Sequence, residues 1–378
     1  MTYAAAIAAG AATGAGFGVV LYKVGATRYS RVMGMLTLRD TKVMKFAFTA
    51  IGVSSLAYGL AAATGVAEAW GLVPRVMPFL GGAHLLGGAL FGIGMGVSGL
   101  CPGTCVAKSG GRGGEKKYAT PAAILGLVAG VLLYAAVKDG LVDAGVIAAN
   151  QKPLTLYGTL GLPYGAVALG WGTLFLLVSL AIDRFTVEKA YAPAREKRSV
   201  LDWIRGEWSW TAAGTVGGLL VVAATAQGGY LGFSGAILAA VGVAAHAVGM
   251  PMAIVPRIDA DILWRAALIV GVFPGAWLAH LASIPSRAAV ETHAAKVLDP
   301  RAIAISFGAA TVMCLGALVG GGCTTGAFIS AWPTLSLGSL AMAGTFFVVS
   351  MATANARLLV IRSYDLVAAQ DAGDRVYD

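Results

Sequence analysis

Two short segments of the chain hold the residues best able to do chemistry. The first reads Leu100-Cys101-Pro102-Gly103-Thr104-Cys105. Proline suits the first position of a helix, where its missing N–H would be unpaired anyway. Cys101 is therefore expected to cap a short helix that starts at Pro102. The free N–H groups of that first turn, with the positive end of the helix dipole, favour an anion. Gly103 would let a ligand approach the backbone, and Thr104 adds a hydroxyl donor. The second segment, Gly320-Gly321-Gly322-Cys323-Thr324-Thr325-Gly326, offers the same parts. If the two met, the site would suit a small oxyanion that also carries a soft atom, because soft groups favour soft partners. The candidate path is Cys101, Pro102, Gly103, Thr104, Gly322, Cys323, Thr324 and Thr325. Cys105, Cys314 and His84 are secondary candidates. A plainer reading stands beside this one: cysteine is a small hydrophobe, and glycine-rich breaks serve helix packing.

The elements that must position these residues are membrane helices. Hydrophobic residues make up 58% of the 378, and charged residues only 12%, about half the share of a soluble domain. The 53 glycines fall largely inside apolar stretches, where they let helix backbones approach in lipid. Apolar windows of about 20 residues, enough to span a bilayer, fall near 3–22, 46–67, 78–99, 119–138, 163–183, 209–227, 264–283, 302–322 and 337–356. The stretch 230–250 is ambiguous. Basic residues mark cytoplasmic loops. If 230–250 does not cross, only Arg75, Lys138, Lys152, Arg257 and Arg265 lie on the sparse side. If it crossed, Arg257 and Arg265 would move to the other side while Arg287, Lys296, Arg301 and the tail arginines joined Arg75, Lys138 and Lys152, a less asymmetric split. Nine spans are thus expected, with the N-terminus outside and the C-terminus in the cytoplasm. The net charge of +9 reads as this orientation signal, and no nucleic acid is expected as a partner.

Nine spans give the two cysteine segments opposite directions. Aligning Cys101 with Cys323 pairs Gly94 with Gly316 and Gly99 with Gly321. That is an inverted repeat, a common transporter plan. The expected architecture is all-α and integral to the membrane. It comprises a first half 1–184, a cytoplasmic linker 185–208, a second inverted half 209–357 and a tail 358–378. Segments 24–45 and 230–250 would be matching partial or re-entrant elements, related by a pseudo-two-fold axis. No enzyme activity, metal or cofactor is expected, and no GxxxxGK[ST] loop for nucleotide occurs. A membrane redox subunit is the alternative, with His84, His246 or His280 holding a haem. A sensor or scaffold that does not transport is another.

The segment GGALFGIGMGVSGLCPGTCVA resembles the signature of the YeeE/YedE family of membrane proteins, and GALVGGGCTTGAFIS resembles its second cysteine motif. The likeness runs from about residue 10 to about residue 355. It implies an hourglass-like inverted repeat in the inner (plasma) membrane and uptake of thiosulfate or a related sulfur species. It also implies cysteines along a narrow path, with Cys101 and Cys323 at the matching positions, and a soluble sulfur carrier of the TusA type as partner. A further cysteine usual in the first repeat is absent here, where the chain reads Gly25-Ala26-Thr27-Arg28-Tyr29-Ser30.

Overall fold

The computed structural model describes residues 1–111, 119–148, 151–186, 200–283 and 300–361. Arg112, most of the predicted linker and the tail beyond 361 lie outside the described residues. Helices α1 (Tyr3–Lys23), α2 (Tyr29–Leu36), α3 (Lys42–Ala63), α4 (Ala83–Ser98), α5 (Pro102–Gly110), α6 (Ala119–Asp143), α7 (Leu156–Leu160) and α8 (Tyr164–Phe185) come first. After them come α9 (Val200–Arg205), α10 (Trp210–Ala226), α11 (Phe233–Ala247), α12 (Ala260–Ser283), α13 (Pro300–Val319) and α14 (Leu337–Ile361). Among the described residues eight helices are long and apolar enough to cross a bilayer, with α4 and α5 counted together as Ala83–Gly110. The predicted span at 209–227 is the shorter α10. Leu125, Leu174, Leu177, Val270 and Val348 point outward, a surface that lipid would cover. The chain is an all-α, multi-pass membrane protein.

Glycines set how the helices pair. Gly10, Gly14 and Gly18 of α1 lie in order against the backbones of Trp264, Leu268 and Val272 of α12, so the two helices run parallel. In the same way Gly214 and Gly218 of α10 follow Phe46–Thr49 and Ala50–Val53 of α3, also parallel. Gly88, Gly92 and Gly96 of α4 meet Thr345, Val349 and Thr353 of α14, and Gly126 and Gly130 of α6 meet Phe307 and Thr311 of α13. Within each swapped pair the directions oppose. Thr13 of α1 bonds Gln227 while Gly16 meets Leu220 of α10, and Gly87 and Gly94 of α4 meet Gly316–Gly320 and Ala309–Met313 of α13. Exchanging α1 with α10, α3 with α12, α4 with α13 and α6 with α14 therefore maps each pairing onto another. Without water between helices, such close backbone contact is a main source of association.

Both partial elements turn back on the side they enter. Gly229, before α11, packs on the Trp264 ring, and His246 near its end bonds the Val255 carbonyl at 2.8 Å. Both contacts adjoin the start of α12, so 230–250 does not cross. At the other end of the bundle α2 is flanked by an ionic hub. Glu207 pairs with Arg28, with Lys42 Nζ at 2.6 Å and with Arg31 Nη2 at 3.2 Å. Arg31 Nη1 also reaches Asp40 at 2.7 Å. This is why α3 begins at Lys42, ahead of the predicted 46: Lys42 and Lys45 are buried against Glu207 and Asp183. Burial alone would raise the Glu207 carboxyl, but Arg28, Lys42 and Arg31 outweigh it and hold the group below its usual value. A depressed carboxylate stabilises the fold above its unfolded pKa, about 4.3 for glutamate, and the gain disappears as pH falls below it. Glu207→Gln should therefore lower the thermal-unfolding midpoint at pH 7, by about 2–4 kcal/mol of stability. The difference from wild type should vanish in acid below that window; an equal loss at all pH values would contradict the ionic role.

Candidate functional site

The third span does not end at Gly99, as the apolar window suggested. Gly99 takes φ +64, breaks α4, and lets α5 continue the same crossing to Gly110. Cys101 thus sits inside a spanning segment. It caps α5 in extended conformation (φ −113, ψ 170), with Pro102 first in the helix. Its backbone N–H donates to Thr104 Oγ1 at 2.6 Å, and that hydroxyl reaches the Cys101 carbonyl at 2.9 Å and Sγ at 3.4 Å. The second break repeats the device. Gly321 takes φ +91 two residues before Cys323, as Gly99 does before Cys101. Cys323 caps Thr324–Ser330, which winds as a π-helix and not the α-helix expected. A single π turn is rare and recurs at functional sites.

The two breaks meet. The Cys101 thiol accepts from Thr104 at 3.4 Å, and the Thr324 side chain and the Cys323 thiol of the second break lie close enough to interact with it. Cys105 neighbours Cys101 and Cys314, and Cys314 neighbours Cys323. All four thiols are free and buried, so the two cysteines without counterparts in the repeat belong to the same cluster. Cys323 is 0% exposed and Cys101 only 7%; the thiols are occluded from both faces. Gly103 does not present open backbone. The Phe233 ring, from the start of α11, lies over it, held edge-on to Phe17 at 5.5 Å. Gly322 turns against Ala327, and Thr325 is buried.

His84 lies at the second break, away from Cys101 along its own helix. It is fully buried; its Nε2 accepts from the Leu80 N–H at 2.9 Å, leaving Nδ1 to donate to the Gly320 carbonyl at 2.9 Å. It clamps the entrance of the second break. His280 bonds the Tyr22 hydroxyl at 2.8 Å near the far end of α1, and His246 lies beside Val255. The three histidines do not converge. Sequence reasoning missed Tyr230, whose hydroxyl donates to the Gly326 carbonyl at 2.5 Å and whose ring lies near Cys323. Its only signal was its place at the mouth of the ambiguous stretch.

Broken helices brought close together within a bundle of oppositely directed units are a common plan of membrane transport proteins. The profile described as sulphur transport matches residues 29–352, most of the chain. The chain belongs to the sulphur transport family, and its substrate is a sulfur compound. No curated protein matches it at a significant level.

His84→Ala would leave the Leu80 N–H and the Gly320 carbonyl without partners in an apolar interior, at about 1–3 kcal/mol each. The variant should show a lower unfolding midpoint in detergent and faster labelling of Cys323 by a thiol reagent. Unchanged labelling would show that the second break does not depend on this clamp.

Proposed function

We propose that this chain takes up a small sulfur oxyanion, thiosulfate first, along a path past Cys101 and Cys323. The observation that carries the reading is the meeting of the two breaks. Each supplies a thiol, a threonine hydroxyl and the start of a short helix. A thiosulfate ion has oxygen atoms for the hydroxyl and N–H donors, and a terminal sulfur that suits a thiol. Pro102, Gly103 and Gly322 shape the turns; Thr104 and Thr324 are the donors, and Thr325 extends the second turn. Residues 1–184 and 209–357 act as the two inverted halves, joined by 185–208.

The membrane is the inner (plasma) membrane, with the N-terminus outside and the C-terminus in the cytoplasm. The basic hub of Arg28, Arg31 and Lys42 then faces the cytoplasm, where a TusA-like carrier would collect the sulfur. Cys101→Ala and Cys323→Ala are each expected to abolish uptake of radiolabelled thiosulfate into proteoliposomes. Cys105→Ala and Cys314→Ala should retain it. Unchanged uptake in the first two variants would rule out the thiol path.

A further inference from the structure

A cavity of about 220 Å³ opens at the end of the bundle opposite the Glu207 hub. It lies where α3 leads into α4, where α10 leads into α11, and at the first turn of α12. Arg75, Arg265, Asp261, Thr225, Gly229 and Tyr230 line it. Each water fills about 30 Å³, so the space suits a tetrahedral oxyanion with a few waters. Tyr230 forms one wall. Its hydroxyl holds the Gly326 carbonyl, it shares the cavity wall with Arg75 and Arg265, and Cys323 lies within electrostatic reach of it. One aromatic side chain thus relates the cavity to the occluded thiol.

The charge distribution makes this cavity unusual. The sparse side of the chain holds only five basic residues by the loop assignment above, and two of them, Arg75 and Arg265, line this one space. Orientation requires neither, because positive charge on that side works against the rule that sets topology. Arg265 is anchored by Asp261 one turn away, Nη2 to Oδ2 at 2.8 Å and Nε to Oδ1 at 3.1 Å. Among the described residues Arg75 forms no ion pair with a carboxylate. The cavity therefore carries net positive charge, with one guanidinium held in place and one available. Guanidinium groups match the oxygen spacing of tetrahedral oxyanions.

We propose that this cavity is an outer capture site for a small divalent oxyanion, bound between Arg75 and Arg265 before it passes Tyr230. Asp261 fixes Arg265 and competes with the ligand for it. The proposal rests on the transport reading, which it deepens by adding a site that precedes the thiols. An anion gathered by steering charges at a mouth raises its local concentration. The step is binding alone, and no bond forms or breaks.

The test is calorimetric binding of thiosulfate, sulfate and phosphate to the purified full-length protein, alongside thiosulfate uptake. Arg75→Gln and Arg265→Gln should each weaken oxyanion binding about tenfold and raise the KM of uptake, with maximal rate largely kept. Asp261→Asn should tighten binding, because it removes the competing carboxylate. Cys101→Ala and Cys323→Ala should leave this binding intact while uptake stops. Unchanged binding and KM in both arginine variants, with wild-type unfolding midpoints, would overturn the capture site and leave the thiol path standing. Arginine-dependent binding without any uptake by the wild type would instead overturn transport and leave the site. Weaker binding in Asp261→Asn would show that Asp261 serves only to hold Arg265.

Discussion

A helix interrupted inside a bilayer exposes backbone groups that hydrocarbon cannot hydrogen-bond, and this structure is organised around satisfying them at two breaks. Thr104 takes up the Cys101 N–H. His84 takes up the Gly320 carbonyl. Tyr230 takes up the Gly326 carbonyl, and Ser330 reaches back to the Leu231 carbonyl at 2.6 Å. The last two bonds tie the re-entrant segment to the π turn after Cys323. Irregular backbone at membrane depth is tolerated only where protein or a cavity covers it; α11, through Phe233 and Tyr230, is that cover. The re-entrant stretch thus exists to close the breaks, which is why it need not cross.

Much of this was legible in the sequence because glycine has one dominant use in lipid. The pairings Gly94–Gly316 and Gly99–Gly321 came from aligning two cysteines. The structure gives the first pair the two faces of the α4–α13 contact and the second pair matching left-handed turns. The N-cap role of Cys101 was readable from Pro102 alone. Other features depend on distant partners that no local window contains. The continuation of the third span through α5 depends on burying Cys105 and Ala107, and the start of α3 at Lys42 depends on Glu207. The contact of His84 with Gly320 was not legible, because spacing along one helix says nothing about Gly320, which follows α13. Tyr230 carried no motif at all.

The two ends of the bundle solve the same problem with different charge. At one, Arg28, Arg31 and Lys42 surround Glu207, with Asp40 beside them. At the other, Arg75 and Arg265 share a cavity with Asp261. In each case acidic groups offset the basic ones without cancelling them, so both mouths keep positive charge. The groups near the Cys101 thiol between them are the Cys323 and Cys105 thiols and the Thr104 and Thr324 hydroxyls. The positive charge therefore lies near the ends, where water can share the cost of holding it.

That separation bears on how a sulfur oxyanion could move. A path conducts only if each station binds well enough to admit the ion and weakly enough to release it. An arginine at the buried constriction would hold an oxyanion through charge-assisted bonds about twice as strong as neutral ones, and departure would become the slow step. Thiols and hydroxyls offer weaker contacts. Thr104 already bonds the Cys101 thiol and Thr324 lies beside it, so a passing ligand would exchange one neutral partner for another and leave no donor stranded when it went. On the proposed path, strong charge at the mouths would gather the ion, while neutral soft donors at the constriction would let it pass. On the proposed path the cysteines would replace part of the ion's hydration for a moment, a role that a buried cation could not fill without becoming a trap.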